Sequence, residues 1–229
     1  MASSLTTRLL NTPVVEAFRR SDLGLRVEYL LRKTNLEVED LIFIDSLTKA
    51  YNRRFFDQEL LRLTAPDRRQ NIDHEKASRR TPLQDPFVLV LADIDYFKLV
   101  NDQKGHLTGD QVLRDVVTVL TQKGRKTKER VFRYGGEEIA LLAEDLQDPR
   151  AYMERLRTGI EDYFQKKYQD DLLIATPEGT RGLTMSFGAS SFPNDTVCMD
   201  LLLQYADLAL YHSKFTGRNR STLFSKDLR

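Results

Sequence analysis

Arg133-Tyr134-Gly135-Gly136-Glu137-Glu138-Ile139-Ala140-Leu141-Leu142, RYGGEEIALL, lies near the middle of this 229-residue chain and reads as strand, two-glycine turn, strand. A Gly-Gly linker between apolar runs is the connection that primed hairpin turns prefer. The stretch therefore predicts a β-hairpin, and a hairpin pairs its strands antiparallel. That pairing decides among architectures that mix helices and strands. Upstream, Phe87 to Ala92, FVLVLA, is a short continuous apolar run that suits a strand buried on both faces, and it leads directly into Asp93-Ile94-Asp95. A loop holding Gly105 and Gly109 follows, after which Val112, Leu113, Val116, Val117 and Leu120 trace the stripe of a helix starting near Thr108. Downstream come a helix from about Pro149 to Tyr168, a polar loop and a strand from about Leu183 to Ser190. A helix from about Met199 to Phe215, stopped by Gly217, precedes a short strand at Ser221 to Phe224. The order predicts an α+β or α/β sandwich, a ferredoxin-like palm with a central, mostly antiparallel sheet flanked by helices, rather than a doubly wound parallel sheet.

Residues 1–44 carry Val27, Leu30, Leu31, Leu36, Val38, Leu41 and Ile42 among charges, with a capping box at Thr34 and Glu37. They predict an N-terminal helical extension, either packed on its own domain or serving as a stalk or dimerisation segment. Residues 45–229 are the second predicted domain. Asn52 is a good N-cap for a helix with Phe55, Phe56, Leu60 and Leu63 on one side, and the polar, proline-bounded segment 65–86 reads as an insertion loop.

Lys and Arg total 35 against 34 Asp and Glu, a formal charge of +1. No long-range field draws such a chain to nucleic acid or to an anionic membrane. The single cysteine, Cys198, forms no intrachain disulfide, and with three histidines it leaves little for structural zinc. No apolar run approaches the roughly 20 residues of a membrane span, and MASSLTTRLL has no signal core. These features predict a cytoplasmic protein without direct membrane insertion.

Side chains two apart on a strand share a face, so Asp93 and Asp95 could act together, but alone the pair is a weak signal, since acids at a strand end often just cap the next turn. Glu137 and Glu138 alone are as consistent with a solvated hairpin. Taken together, a hairpin beside the 87–92 strand brings Asp93 within reach of a glutamate at 137 or 138, and converging carboxylates require compensating charge. Oxygen-only ligands favour magnesium or manganese over zinc, and magnesium brings phosphate oxygens with it. The expectation is a nucleotide site. Consecutive strand residues point to opposite faces, however, so Glu137 and Glu138 meet one metal only if the turn twists them. Gly135 and Gly136 supply that freedom and leave room for a ligand. Lys214 and Arg218, four apart at a helix end, can face one anion, although the helix dipole explains them equally well. Lys98 is a third candidate cation.

The motifs DSLTKAYNRR (45–54), DIDYFKLVND (93–102), GHLTGD (105–110), RYGGEE (133–138), SFGAS (186–190) and ADLALYHSKFTGRN (206–219) then occur in an order that resembles the GGDEF domain of diguanylate cyclases. The resemblance covers about residues 45–220. It implies a fold similar to class III nucleotidyl cyclase catalytic cores and a GTP-dependent enzyme. The implied reaction condenses two GTP into cyclic di-GMP and two pyrophosphates, by metal-assisted attack of a ribose 3′-hydroxyl on the α-phosphate of the facing GTP across a homodimer. By resemblance, Asp93, Glu137, Glu138 and the backbone carbonyl of Ile94 would hold two magnesium (or manganese) ions, with Glu137 the base. Lys98, Lys214 and Arg218 would hold phosphates, Lys98 stabilising the transition state. Asn101 and Asp110 would recognise guanine, whose N1–H and N2–H one carboxylate can accept together; His106, Gly135 and Gly136 would lie on the substrate side. Three positions depart from the family pattern. Ile139 stands where phenylalanine is usual, and Lys126 and Glu129 replace the arginine and aspartate of an inhibitory product site, which implies that this site is absent. A silent GTP- or cyclic di-GMP-binding domain and a cyclase making a single-nucleotide product are the competing readings.

Overall fold

The computed structural model describes residue 20 and residues 42–65, 85–124 and 128–228. The chain divides into two units, Met1–Ser46 and Leu47–Arg229. Most of the helical extension expected over 1–44, most of the insertion loop expected over 65–86, and Lys126 lie outside the described residues.

In the second unit the elements run β1 (Tyr51–Asn52), α1 (Arg53–Thr64), β2 (Phe87–Ile94), α2 (Phe97–Lys104), α3 (His106–Lys123), β3 (Glu129–Arg133) and β4 (Glu138–Glu144). They continue as α4 (Pro149–Tyr168), β5 (Ile174–Thr176), β6 (Gly179–Arg181), β7 (Met185–Phe192), α5 (Met199–Phe215) and β8 (Ser221–Leu223). A six-stranded sheet is ordered β1-β3-β4-β2-β7-β8, and β5 pairs with β6 in a separate hairpin. β2 is antiparallel to both neighbours, β4 and β7, and β3 is antiparallel to β4. The two edge pairings, β1 with β3 and β7 with β8, are parallel. The expected ferredoxin-like order is therefore present in β2, β3, β4, β7 and their helices, and parallel edges make the whole sheet mixed.

Every residue of β2 is buried, as its continuous apolar run requires. Val88, Val90, Ala92 and Ile94 join Val112, Val116 and Leu120 of α3 and Leu156 and Ile160 of α4 in one core. Alternation turns Leu89, Leu91 and Asp93 to the opposite face, where α5 packs on β2 and β7. Capping explains the clean helix starts. The Asn52 side chain accepts from the Phe55 N–H at 3.1 Å, and that of Asp148 from the Ala151 N–H at 3.0 Å. Among the described residues no helix is long and apolar enough to cross a membrane.

Three expectations need correction. The loop expected after Asp95 contains α2, and α3 begins at His106 rather than near Thr108, because Gly105 at φ 86° breaks one helix from the next. The polar loop after α4 contains the β5–β6 hairpin, whose mostly exposed residues leave no apolar signal. The central hairpin lacks a primed turn: such a turn places residues at positive φ, and neither Gly135 nor Gly136 has one. Instead the Tyr134 and Gly135 N–H groups both donate to the Glu138 carbonyl, at 2.8 and 3.2 Å.

Candidate active site

Antiparallel register sets Asp93 of β2 directly opposite Glu138 of β4. Residues so paired project their side chains from the same face. Glu137 precedes β4, on the turn, so strand alternation does not govern it. This resolves how two consecutive acids can serve one site. Gly135 matters here for lack of a side chain, since a Cβ would run into the Glu138 carboxylate. The turn is strapped by Arg133, whose Nε and Nη2 donate to the Gly136 carbonyl at 3.2 and 3.0 Å. Tyr134 anchors it to α1, its ring 5.1 Å from that of Phe56 and covered by the Arg53 guanidinium at 4.5 Å.

Asp93 is 7% exposed, and burial pushes its carboxyl up to about 6. The hydrogen bond and charge of Lys214 pull the other way, and the charges of Glu137 and Glu138 raise it further. Lys214 Nζ lies 2.8 Å from Asp93 Oδ2. The structure thus joins four of the expected residues, Asp93, Glu137, Glu138 and Lys214, in one electrostatic group. Among the described residues no three His, Cys, Asp or Glu side chains are gathered to chelating geometry. The donor set nevertheless fits a hard divalent cation, since three carboxylates share a patch in which one acid already resists ionisation.

Arg218 stands off the helix that carries Lys214 and has contacts of its own. α5 ends at Phe215, so Arg218 lies beyond the helix with φ 61°. Its guanidinium covers the Tyr96 ring at 4.3 Å and donates from Nη1 to the Tyr96 hydroxyl at 3.1 Å. Lys98 occupies the first turn of α2, exposed, with Ile94 closing β2 just before it. Asn101, on α2, lays its amide over Gly109 of α3, where a Cβ would collide with it; Asp110 and His106 lie in the first turns of α3. Glu129 begins β3.

Asp95, undecided in the sequence, is structural. At 2% exposure its carboxylate accepts from Thr184 Oγ1 at 2.7 Å, Ser186 Oγ at 2.6 Å and the Asn219 N–H at 3.0 Å. It ties the end of β2 to β7 and to the segment that carries Arg218. The signal available in sequence was the pair of hydroxyl residues opening the 183–190 strand. Tyr96 had no such signal.

A cleft of about 200 Å³ beside Glu138 is lined by Leu91, Tyr134, Leu203, Asp207 and Leu210 among others. A larger one of about 490 Å³ is lined by residues of α4, the β5–β6 hairpin and the segment 217–220, with neither Asp93 nor Glu138 in its wall. The carboxylates mark the chemical site better than cleft size does.

Residues 42–220 match the family described as diguanylate cyclase, GGDEF domain. Diguanylate cyclase DgcZ of Escherichia coli (strain K12) is 38% identical over 178 residues, 77% of this chain and 52% of that protein. The uncharacterized protein YhcK of Bacillus subtilis (strain 168) is 35% identical over 178 residues, 77% of this chain and 44% of that one. The chain spans about half the length of these relatives. Among solved structures, the coiled coil and GGDEF domain of DgcB from Caulobacter crescentus, in complex with c-di-GMP, has a TM-score of 0.63 and 27% identity, covering 96% of this chain and 100% of that one. With the family match spanning most of its length and the acid pair seated where two central strands meet, the chain belongs to the GGDEF domain family of diguanylate cyclases.

Proposed function

We propose that the chain is itself a diguanylate cyclase, condensing two GTP into cyclic di-GMP and two pyrophosphates in the cytoplasm. The observation that carries this reading is the cross-strand pair of Asp93 and Glu138 with Glu137 and Lys214 in the same electrostatic group. The activity named for DgcZ and the cyclic di-GMP bound by the DgcB domain support it.

Asp93, Glu137, Glu138 and the Ile94 carbonyl would hold two magnesium or manganese ions, which when bound acidify a ribose hydroxyl and offset phosphate charge. Glu137, free of the strand, takes the proton of the ribose 3′-hydroxyl as that oxygen attacks the α-phosphorus of the facing GTP. The bond to pyrophosphate breaks, and Lys98, Lys214 and Arg218 neutralise the charge that develops there. Lys214, 2.8 Å from the Asp93 carboxylate, would be shared between that carboxylate and the incoming phosphate. Asp110 accepts from guanine N1–H and N2–H, Asn101 assists, and His106, Gly135 and Gly136 border the substrate. A second attack in the opposite sense closes the ring.

Each subunit brings one GTP, so turnover requires a homodimer, whose lifetime residues 1–44 set. The coiled coil named with the DgcB domain is consistent with that role. With lysine and glutamate at 126 and 129, product inhibition through that site is weak.

The test is incubation with GTP and magnesium, the products resolved by chromatography. Cyclic di-GMP is expected, and Asp93→Asn or Glu138→Gln should lower turnover at least about 100-fold without altering the thermal unfolding midpoint by much. A 3′,5′-cyclic mononucleotide, or binding of GTP without product, would overturn the assignment.

A further inference from the structure

Arg218 is held by a residue that the proposed chemistry does not use. Tyr96 caps the N-terminus of α2 with φ 57° and ψ 30°, a left-handed conformation that a bulky side chain keeps only when its surroundings fix it. Its carbonyl accepts from the Leu99 N–H at 2.8 Å, and its ring is near two guanidinium groups, Arg218 at 4.3 Å and Arg181 at 5.6 Å. The phenol both gives and receives: it accepts from Arg218 Nη1 at 3.1 Å and donates to Glu178 Oε2. Burial and the Glu178 carboxylate push the phenol above its ordinary value, so the donated proton stays in place.

Glu178 sits at the turn between β5 and β6, where Thr176 Oγ1 also donates to it at 3.2 Å. That hairpin is docked to α2 by Gln103, which donates from Nε2 to the Ala175 carbonyl at 2.9 Å and accepts from the Ala175 N–H at 3.0 Å. On its other side, the Arg218 segment is pinned by its own N–H to the Ser213 carbonyl at 3.0 Å and by the Asn219 N–H to Asp95. The backbone on either side of the guanidinium is therefore fixed, and what remains to be set is the direction of the fork. An aromatic face and a hydroxyl select one direction for a guanidinium that would otherwise sample many.

We propose that Tyr96 and Glu178 are positioning residues for Arg218, so that the β5–β6 hairpin helps set affinity for a nucleoside triphosphate. The inference rests on reading Arg218 as a phosphate-binding side chain. Tyr96 carries the guanidinium to the end of α2 that bears Lys98, and Glu178 holds the phenol in the orientation that presents its lone pair to Arg218.

Steady-state kinetics and calorimetric binding of GTP and GMP to the full chain test it. Tyr96→Phe, which keeps the ring and removes the hydroxyl, should raise KM for GTP about fivefold with kcat within about twofold, the pattern of lost uniform binding. GMP affinity should be unchanged, because the loss is confined to the outer phosphates. Glu178→Ala should match Tyr96→Phe, the double variant should lose no more than either, and Glu178→Gln, which still accepts from the phenol, should recover the wild-type KM. Equal weakening of GTP and GMP with a lowered thermal midpoint would show a merely structural role and overturn the proposal. A wild type that binds GTP and a Tyr96→Phe variant with the same KM would overturn the inference alone, whereas a wild type that binds no GTP would overturn the reading of the site along with it.

Discussion

Asp93 and Asp95 stand two apart in the sequence, look interchangeable there, and have opposite fates. Asp95 receives three hydrogen bonds and is a fixed joint, whereas Asp93 meets Lys214 and the fields of two glutamates. Their difference lies in what faces them across β7 and β4, which local sequence does not encode. The consequence for Asp93 can be measured. Its carboxyl ordinarily titrates at 3.8 and is raised here to about 6, by burial first and by Glu137 and Glu138 after the opposing pull of Lys214. The folded chain therefore binds this proton more tightly than the unfolded chain does. For an acid shifted upward, the contribution to stability is greatest below the unfolded value and is lost as pH rises from about 4 to about 6. In chelator-treated protein this single group should remove about 1–3 kcal/mol across that interval, and Asp93→Asn should abolish that part of the slope. Magnesium should restore stability at pH 7 more than at pH 5, since it binds the ionised form. Thermal melts at stepped pH read all three effects, and an unchanged slope in Asp93→Asn would refute the account.

α5 is the element through which the fold reaches the site, and it reaches it through contact with β7 so close that side chains are excluded. At Gly188 a Cβ would stand 2.5 Å from both the Ala206 carbonyl oxygen and the Leu210 Cα. Ser190 Oγ donates to the Leu202 carbonyl and Ser213 Oγ to that of Phe187, each at 2.7 Å, which fixes the helix at both ends of the contact. Lys214 follows Ser213, so its distance to Asp93 depends on this seating. Gly188→Ala should cost about 1–3 kcal/mol by overpacking, lower the thermal midpoint by several degrees and raise KM for GTP as Lys214 is displaced. A midpoint equal to wild type would disprove the claim of close contact. Element by element, legibility followed local chemistry. α4 and α5 were readable to their ends because proline and glycine stand at their boundaries and their apolar stripes are continuous. α2 was missed because Tyr96 caps it by backbone conformation and no side chain, and β1 because two residues carry no pattern. The Gly-Gly turn was misread for a related reason: its glycines serve to clear space for Glu138 and not to supply positive φ.

Across the whole molecule, one antiparallel hairpin beside a buried strand sufficed to fix the sheet's centre, since it forces β3, β4 and β2 into a single order with Asp93 opposite Glu138. The parallel edge pairings depend on partners distant in sequence and left no local trace. On the proposed reading each chain accommodates one triphosphate, but the proposed product contains two nucleotides joined twice. The two bonds are equivalent, and a two-fold arrangement of identical subunits makes them so. With a formal charge of only +1, monomers neither repel nor attract strongly at long range, so the lifetime of the encounter depends on contacts between chains. Turnover per subunit should therefore rise in proportion to protein concentration where monomers predominate and level off where dimers do. Removing residues 1–44 should shift that plateau to higher protein concentration and leave its height within about twofold, since the residues proposed for chemistry all lie beyond them. Initial rates of cyclic di-GMP formation over a dilution series of both proteins, with GTP saturating, make the measurement. Turnover per subunit that stays constant on dilution in both would eliminate the two-subunit mechanism, and identical curves for the two proteins would eliminate the role of residues 1–44 alone.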